Sequence, residues 1–135
     1  MSHENKLHGY FETDMFLSGL DDADVDRVML GHDCAEWFKS RLVGTADVGE
    51  PVQESYGWAS SVTIAGRSLW LMLQKWHTTE RGWHVWIEPR GLLARVQRAR
   101  AAAGVPELRR ALDRIAANEP RVGGIRWVHD PAELE

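Results

Sequence analysis

The sequence contains very little cysteine and lysine and has no long apolar run. Its one cysteine, Cys34, cannot form an intrachain disulfide, which fits a reducing compartment. No window reaches the roughly 18 apolar residues that a membrane-spanning helix needs. The polar N-terminus, MSHENKLHGY, also lacks the apolar stretch of a signal peptide. These absences predict a cytoplasmic protein that does not enter the membrane.

The length predicts a single domain over residues 1–135. A chain of this size buries roughly two-thirds of the surface that its unfolded form exposes, so it needs no disulfide or metal to build a core. No repeat, low-complexity tract or linker divides the sequence. Residues 43–55 are the loosest stretch, with two glycines and a proline, and are predicted to form a loop within the domain.

Charge is unevenly distributed along the chain, although the net charge is only −4. Residues 1–54 hold four basic and twelve acidic residues, a net of −8, whereas residues 90–126 hold nine arginines and three acids, a net of +6. The basic half could meet an acidic partner such as nucleic acid, or the two halves could face each other in the fold. A third possibility is that arginine simply replaces lysine as the surface cation, which fits the presence of only three lysines among sixteen basic residues. We favour the second and third explanations, neither of which needs a partner.

The clearest secondary-structure signals lie in the middle of the chain. Residues 58–64, 67–76 and 83–88 are rich in β-formers, and Ala65-Gly66 supplies a tight turn between the first two runs. Thr78 to Gly82 form the next loop, and Pro89 ends the third strand because it has no N–H to donate. These features predict a three-stranded antiparallel meander over about residues 56–88.

Helices and edge strands are predicted on both sides of this meander. Before it we expect a strand over residues 10–16. Two alternatives follow this strand: a strand over residues 27–30 with a helix from Asp33, or one long helix. We favour the first because Asp33 and Glu36 have the spacing of a capping box and Gly44 fits the C-terminal end of the helix.

After the meander, helical spacing extends over residues 92–103, and Pro106 suits the start of a second helix. A short strand over residues 125–128 completes the chain. The sequence therefore predicts an α+β fold, a small antiparallel sheet with helices packed on one face.

Strand alternation divides the meander into two faces. If Ala65-Gly66 is a two-residue turn, Val62 pairs with Leu69; if residues 78–82 form the loop, Lys75 pairs with Val85. This register predicts one apolar face to be covered by helices: Trp58, Val62, Ile64, Leu69, Leu71, Leu73, Val85 and Ile87. The opposite, Trp-rich face carries Trp70, Met72, Gln74, Trp76, His84, Trp86 and Glu88, together with Ala59, Ser61 and Thr63.

The Trp-rich face is the candidate partner-binding site. Tryptophan combines a large apolar area with a polar N–H and is enriched where proteins bind partners. Two interpretations remain open: the face binds a ligand or partner, or it is buried under the acidic N-terminal half or in a homodimer.

No motif in the sequence predicts catalysis, a cofactor or a metal site. His77 and His84 fall on opposite faces of the predicted sheet, so one metal ion could not bind both, and no common zinc or phosphate-loop motif occurs. His84 and Glu88 share a face but are about 13 Å apart along the strand. In GHDC, residues 31–34, we expect a cap from Asp33 and a core position for Cys34.

The leading hypothesis is therefore a non-enzymatic module that binds another protein, or itself as a homodimer, through the Trp-rich face. One alternative is a small-molecule binder or enzyme with a pocket near His84, Trp86 and Glu88. Another is weak nucleic-acid binding through the late arginines: Arg95, Arg98, Arg100, Arg109, Arg110 and Arg114. A Trp-rich sheet followed by Arg-rich helices resembles small proteins of bacterial type, and no motif identifies a family.

Overall fold

In the part of the chain that this computed structural model describes, seven strands form one antiparallel sheet. The structure describes residues 7–16, 31–76, 81–89 and 104–134. The strands are β1 (Leu7–Glu12), β2 (Asp47–Val48), β3 (Val52–Gln53), β4 (Trp58–Ile64), β5 (Arg67–Lys75), β6 (Gly82–Pro89) and β7 (Arg126–Val128). Their order is β2-β4-β5-β6-β1-β7, with β3 also paired to β4. The helices in these ranges are α1 (His32–Arg41), α2 (Val105–Ala117) and a 3-10 turn (Pro131–Leu134).

The fold is α+β, as predicted, but the sheet is larger than the small meander that the sequence predicted. The N-terminal strand lies at Leu7–Glu12 and not at residues 10–16, and it is inserted between β6 and β7. Residues 43–55, predicted as loop, contain β2 and β3. Both pair with the same edge of β4, and Pro51, which lacks an N–H, lies in the break between them.

The first central hairpin confirms the predicted register. Ala65 and Gly66 both have positive φ, 51° and 74°, as a two-residue turn of the type favoured in hairpins requires. Val62 pairs with Leu69, and Trp58 pairs with Leu73.

The predicted pairing of β5 with β6 is wrong by two residues. Lys75 pairs with Trp83 and not with Val85, and Leu73 pairs with Val85. The reason is that Gly82, predicted as part of the loop, is the first residue of β6 and pairs with Glu12 of β1. A shift of two residues leaves every side chain on its predicted face, because alternation repeats every two residues.

The hydrophobic core of the described residues lies between one face of the sheet and helices α1 and α2. All eight residues of the predicted apolar face belong to it, and β1 and β6 add Phe11 and Trp83. Helix α1 contributes Cys34, Ala35 and Phe38. On one side of α2, Leu108, Ala111, Leu112 and Ala116 are buried and Ile115 is partly buried.

Helix α1 begins differently from the prediction. Gly31, with φ of 111°, is the N-cap residue, and no side chain caps the helix. Asp33 lies in the first turn and accepts a hydrogen bond from the Cys34 N–H at 2.9 Å, while Glu36 approaches His32 at 3.4 Å. The predicted capping box is therefore absent. The predicted strand over residues 27–30, the helix over residues 92–103 and His77 lie outside the described residues.

Candidate functional site

All seven predicted site residues lie on the face of the sheet opposite the core. They occupy alternate positions of β5 and β6, where Met72 is opposite Trp86 and Gln74 is opposite His84. Trp76 follows β5 and stays in the ladder, because its N–H donates to the Gly82 carbonyl at 2.8 Å. Strand β1 adds two residues to this Trp-rich face: His8 opposite Trp86 and Tyr10 opposite His84.

A chain of three hydrogen-bonding side chains crosses the middle of the Trp-rich face. Gln74 Nε2 lies 2.9 Å from His84 Nδ1, and His84 Nε2 lies 3.0 Å from His8 Nδ1. The Gln74 amide nitrogen can only donate, so His84 Nδ1 is the acceptor and the proton of the neutral ring is on Nε2. His84 Nε2–H therefore donates to His8 Nδ1. The first bond links β5 to β6, and the second links β6 to β1.

His84 is held neutral by its surroundings. Only 5% of its surface is exposed. Burial lowers the pKa of His84 from 6.5 to about 3, and the neighbouring His8 acts in the same direction. Both ring nitrogens are already hydrogen-bonded, so His84 has neither the protonation equilibrium nor the free nitrogen that acid–base catalysis near neutral pH needs.

Aromatic rings enclose this buried centre. The His84 ring stacks on Trp86, with centroids 4.7 Å apart and planes at 22°, and Trp76 packs edge-on against it at 5.1 Å. Tyr10 packs against Trp76 at 6.4 Å. Trp76 and His8 are buried at 6% and 5% exposure. The centre of the Trp-rich face is consequently a small second core.

The rim of the face is more open than its centre. Trp70, Met72, Gln74, Trp86 and Glu88 are all partly exposed. Trp86 is fixed on two sides: its indole N–H donates to Glu88 Oε2 at 2.9 Å, and Tyr56 packs on it at 5.2 Å. Burial, with added effects of Glu54 and Glu88, raises the pKa of Tyr56 to about 12, so its hydroxyl stays protonated.

Three residues of this face were not identified from the sequence: His8, Tyr10 and Tyr56. A signal for the first two exists in LHGYFE, where Leu7, Gly9 and Phe11 alternate with His8 and Tyr10. Placing that strand beside β6 requires a pairing between residues 76 apart, such as His8 with His84, and local patterns do not give such a pairing. Tyr56 precedes β4, so strand alternation could not place it.

The GHDC stretch has a structural role. Cys34 is fully buried, as predicted, and burial raises the pKa of its thiol well above the usual range. The thiol therefore stays protonated and unreactive. Within residues 7–16, 31–76, 81–89 and 104–134, no three His, Cys, Asp or Glu side chains come together to hold a metal ion. In the same ranges no helix is long and apolar enough to cross a membrane.

Comparisons of the chain with protein-family models, with curated proteins and with solved structures find no match.

Proposed function

We propose that the protein is a non-enzymatic binding module that meets another protein, or a second copy of itself, through the Trp-rich face. The supporting observation is the pair of partly exposed indoles, Trp70 and Trp86, on the side of the sheet that does not hold the main core. Tryptophan, with tyrosine and arginine, is enriched among the residues that contribute most of the binding energy at protein interfaces. They combine apolar area with a hydrogen-bonding N–H.

The rim side chains are arranged before any partner arrives. Trp86 is fixed by Glu88 and Tyr56, and the buried centre beneath it is fixed by the His8–His84–Gln74 chain. Immobilising a mobile side chain costs about 0.5–1.5 kcal/mol on association. A face whose rings are already ordered avoids much of that cost, which favours binding.

The two alternative functions have less support. An enzyme using His84 is disfavoured because that ring is neutral, buried and bonded through both nitrogens. Nucleic-acid binding through α2 has little support because two of its three arginines, Arg109 and Arg110, have carboxylate neighbours, Asp113 and Glu107, at 3.8 and 3.7 Å. Among the described residues, only Arg114 of the three lacks such a neighbour. The arginines at 95, 98 and 100 lie outside the described residues.

The proposal is tested by removing the two rim indoles together. We expect Trp70→Ser/Trp86→Ser to keep the circular-dichroism spectrum of a folded α+β protein and to lose self-association, measured by light scattering over a wide concentration range. Trp76 stays unchanged because it is buried. Trp37→Ser is the matched control: this indole is partly exposed on α1, away from the Trp-rich face. If both variants self-associate as strongly as the wild type, the Trp-rich face does not mediate self-association.

Binding to a different protein through the Trp-rich face is tested separately. A photo-crosslinking amino acid at position 70 is expected to trap a discrete partner in cells, whereas the same group at Val43, which is 77% exposed on another part of the surface, is not. If the double variant unfolds instead, the rim indoles are structural and the whole proposal fails.

A further inference from the structure

A cleft lies between the C-terminal ends of α1 and α2, away from the Trp-rich face. Its volume is about 250 Å³. One wall carries Arg41, Leu42 and Thr45, from the end of α1 and the turn after it. The opposite wall carries Ala111, Arg114, Ile115 and Asn118, from the last turns and the C-terminal end of α2.

The lining divides into an apolar floor and a polar edge. Leu42 and Ala111 are buried in the core and partly buried Ile115 packs beside them. Arg41, Thr45, Arg114 and Asn118 are exposed and carry hydrogen-bond donors, two of them permanently cationic. Small-molecule sites in proteins combine these two features, an apolar surface and a few converging polar groups.

The two arginines of the cleft differ from the other arginines on α2. In the described part of the chain, Arg109 and Arg110 each have a carboxylate neighbour on the same helix, whereas neither Arg41 nor Arg114 has one. Arg41 lies over the Trp37 ring at 5.7 Å, a contact that orients the guanidinium and leaves its charge intact. The cleft therefore has two positive charges that no carboxylate of the described residues neutralises.

Helix dipoles explain only part of this arrangement. A cation in the last turn of a helix is stabilised by the partial negative charge there, and Arg41 and Arg114 each occupy such a position. That effect does not require both arginines to line one cleft, nor Thr45 and Asn118 to lie beside them.

We propose that this cleft binds a small amphipathic carboxylate. The carboxylate lies between Arg41 and Arg114, which can bind its oxygens in the fork geometry that guanidinium groups favour, and Thr45 and Asn118 add hydrogen bonds. The hydrocarbon part lies on Leu42, Ala111 and Ile115. The volume accommodates about eight water-sized groups, which corresponds to a chain of roughly six carbons with its carboxylate.

The test is a titration of the full chain with sodium hexanoate, followed by backbone amide chemical shifts. We expect saturable shifts at Thr45 and Asn118 and none on β5 and β6, which separates this site from the Trp-rich face. Arg41→Gln and Arg114→Gln are each expected to weaken binding by about tenfold, since a charge-assisted hydrogen bond contributes at least about 1.4 kcal/mol. Arg110→Gln is the matched control, because Arg110 is exposed on α2 and lies outside the cleft.

Each other outcome overturns the proposal. No saturable shift shows that the cleft is empty in solution, and equal weakening by Arg110→Gln shows general attraction to positive charge. If hexanol binds as tightly as hexanoate, the arginines do not contribute to binding. If inorganic phosphate binds as tightly as hexanoate, the apolar floor does not contribute to binding. Because all the substituted arginines are exposed, circular dichroism is expected to show the same fold in every variant.

Discussion

At the scale of single residues, Gly31 combines a positive φ with close neighbours in the core. Its φ of 111° is unfavourable for residues with a Cβ, and a Cβ built there would lie 3.0 Å from Leu73 Cδ1 and 3.2 Å from carbons of Trp58 and Trp83. Gly31→Ala therefore adds overpacking in the core to backbone strain. We expect the free energy of unfolding to fall by about 2–4 kcal/mol, measured by urea denaturation.

Gly66→Ala is the control for the backbone contribution alone. Gly66 has a similar positive φ of 74°, but a Cβ there would meet nothing within 4 Å. We expect this substitution to cost about 1 kcal/mol. If the two variants lose equal stability, crowding of the new Cβ against the core does not add to the cost of the substitution at Gly31.

Single residues were predicted best where one local rule decided the outcome. Alternation alone fixed which side of the sheet each of the seven site residues occupies, and the structure agrees. The cap of α1 was mispredicted because two rules competed. Asp33 and Glu36 fit a capping box, but Gly31 packs against the core and begins the helix two residues earlier. The sequence alone does not show where the core lies, so it could not decide between Asp33 and Gly31 as the N-cap residue.

At the scale of elements, the strands that join the sheet from a distance were the least predictable. Hairpin β4–β5 was predicted residue by residue because its register depends only on a two-residue turn. Strand β1 reaches β6 across more than 70 residues, and its insertion draws Gly82 into the ladder and shifts the β5–β6 pairing by two. No pattern within either segment specifies that contact.

Strand β7 offers a test of how a short edge strand is held. It has only three residues, and Trp127 connects it to α2 by donating its indole N–H to Asp113 Oδ1 at 2.7 Å. Arg109 lies over the same ring at 5.7 Å. We expect a double-mutant cycle of Trp127→Phe and Asp113→Ala to give a coupling energy of about 1 kcal/mol or more from urea denaturation.

The same cycle with Trp127→Phe and Glu107→Ala is the control. Glu107 is also on α2 but pairs with Arg110 at 3.7 Å, and no contact among the described residues joins it to Trp127. Its coupling energy with position 127 is expected to be near zero. A Trp127–Asp113 coupling no larger than this would mean that the hydrogen bond between the two side chains does not help to hold the strand.

At the scale of the whole molecule, the sheet separates two kinds of interior. One face holds an aliphatic and aromatic core that needs only burial to be stable. The other holds the His8–His84–Gln74 chain, in which burial keeps the His84 ring neutral. The acidic and basic halves of the chain also meet in at least one place, where Arg121 binds Asp14 at 2.7 Å.

The neutral His84 makes the stability of the molecule depend on pH in a definite direction. The pKa of His84 is about 3 in the folded protein, against 6.5 for a histidine exposed to water in the unfolded chain. Between these values the unfolded chain binds a proton that the folded protein excludes, so acid favours unfolding. The full contribution of the neutral ring is present above pH 6.5 and is lost as the pH falls towards 3. From pH 7 to pH 4 the loss is about 3 kcal/mol.

His84→Gln isolates this contribution, because glutamine keeps hydrogen-bonding capacity and does not titrate. We expect the difference in unfolding free energy between wild type and His84→Gln to shrink by about 3 kcal/mol when urea denaturation is repeated at pH 4 instead of pH 7. The same substitution at His32, whose side chain is 53% exposed, controls for the loss of a histidine that is not buried. If both variants show the same pH dependence, His84 is not kept neutral by the fold, and the Trp-rich face has room for a charged ring at its centre.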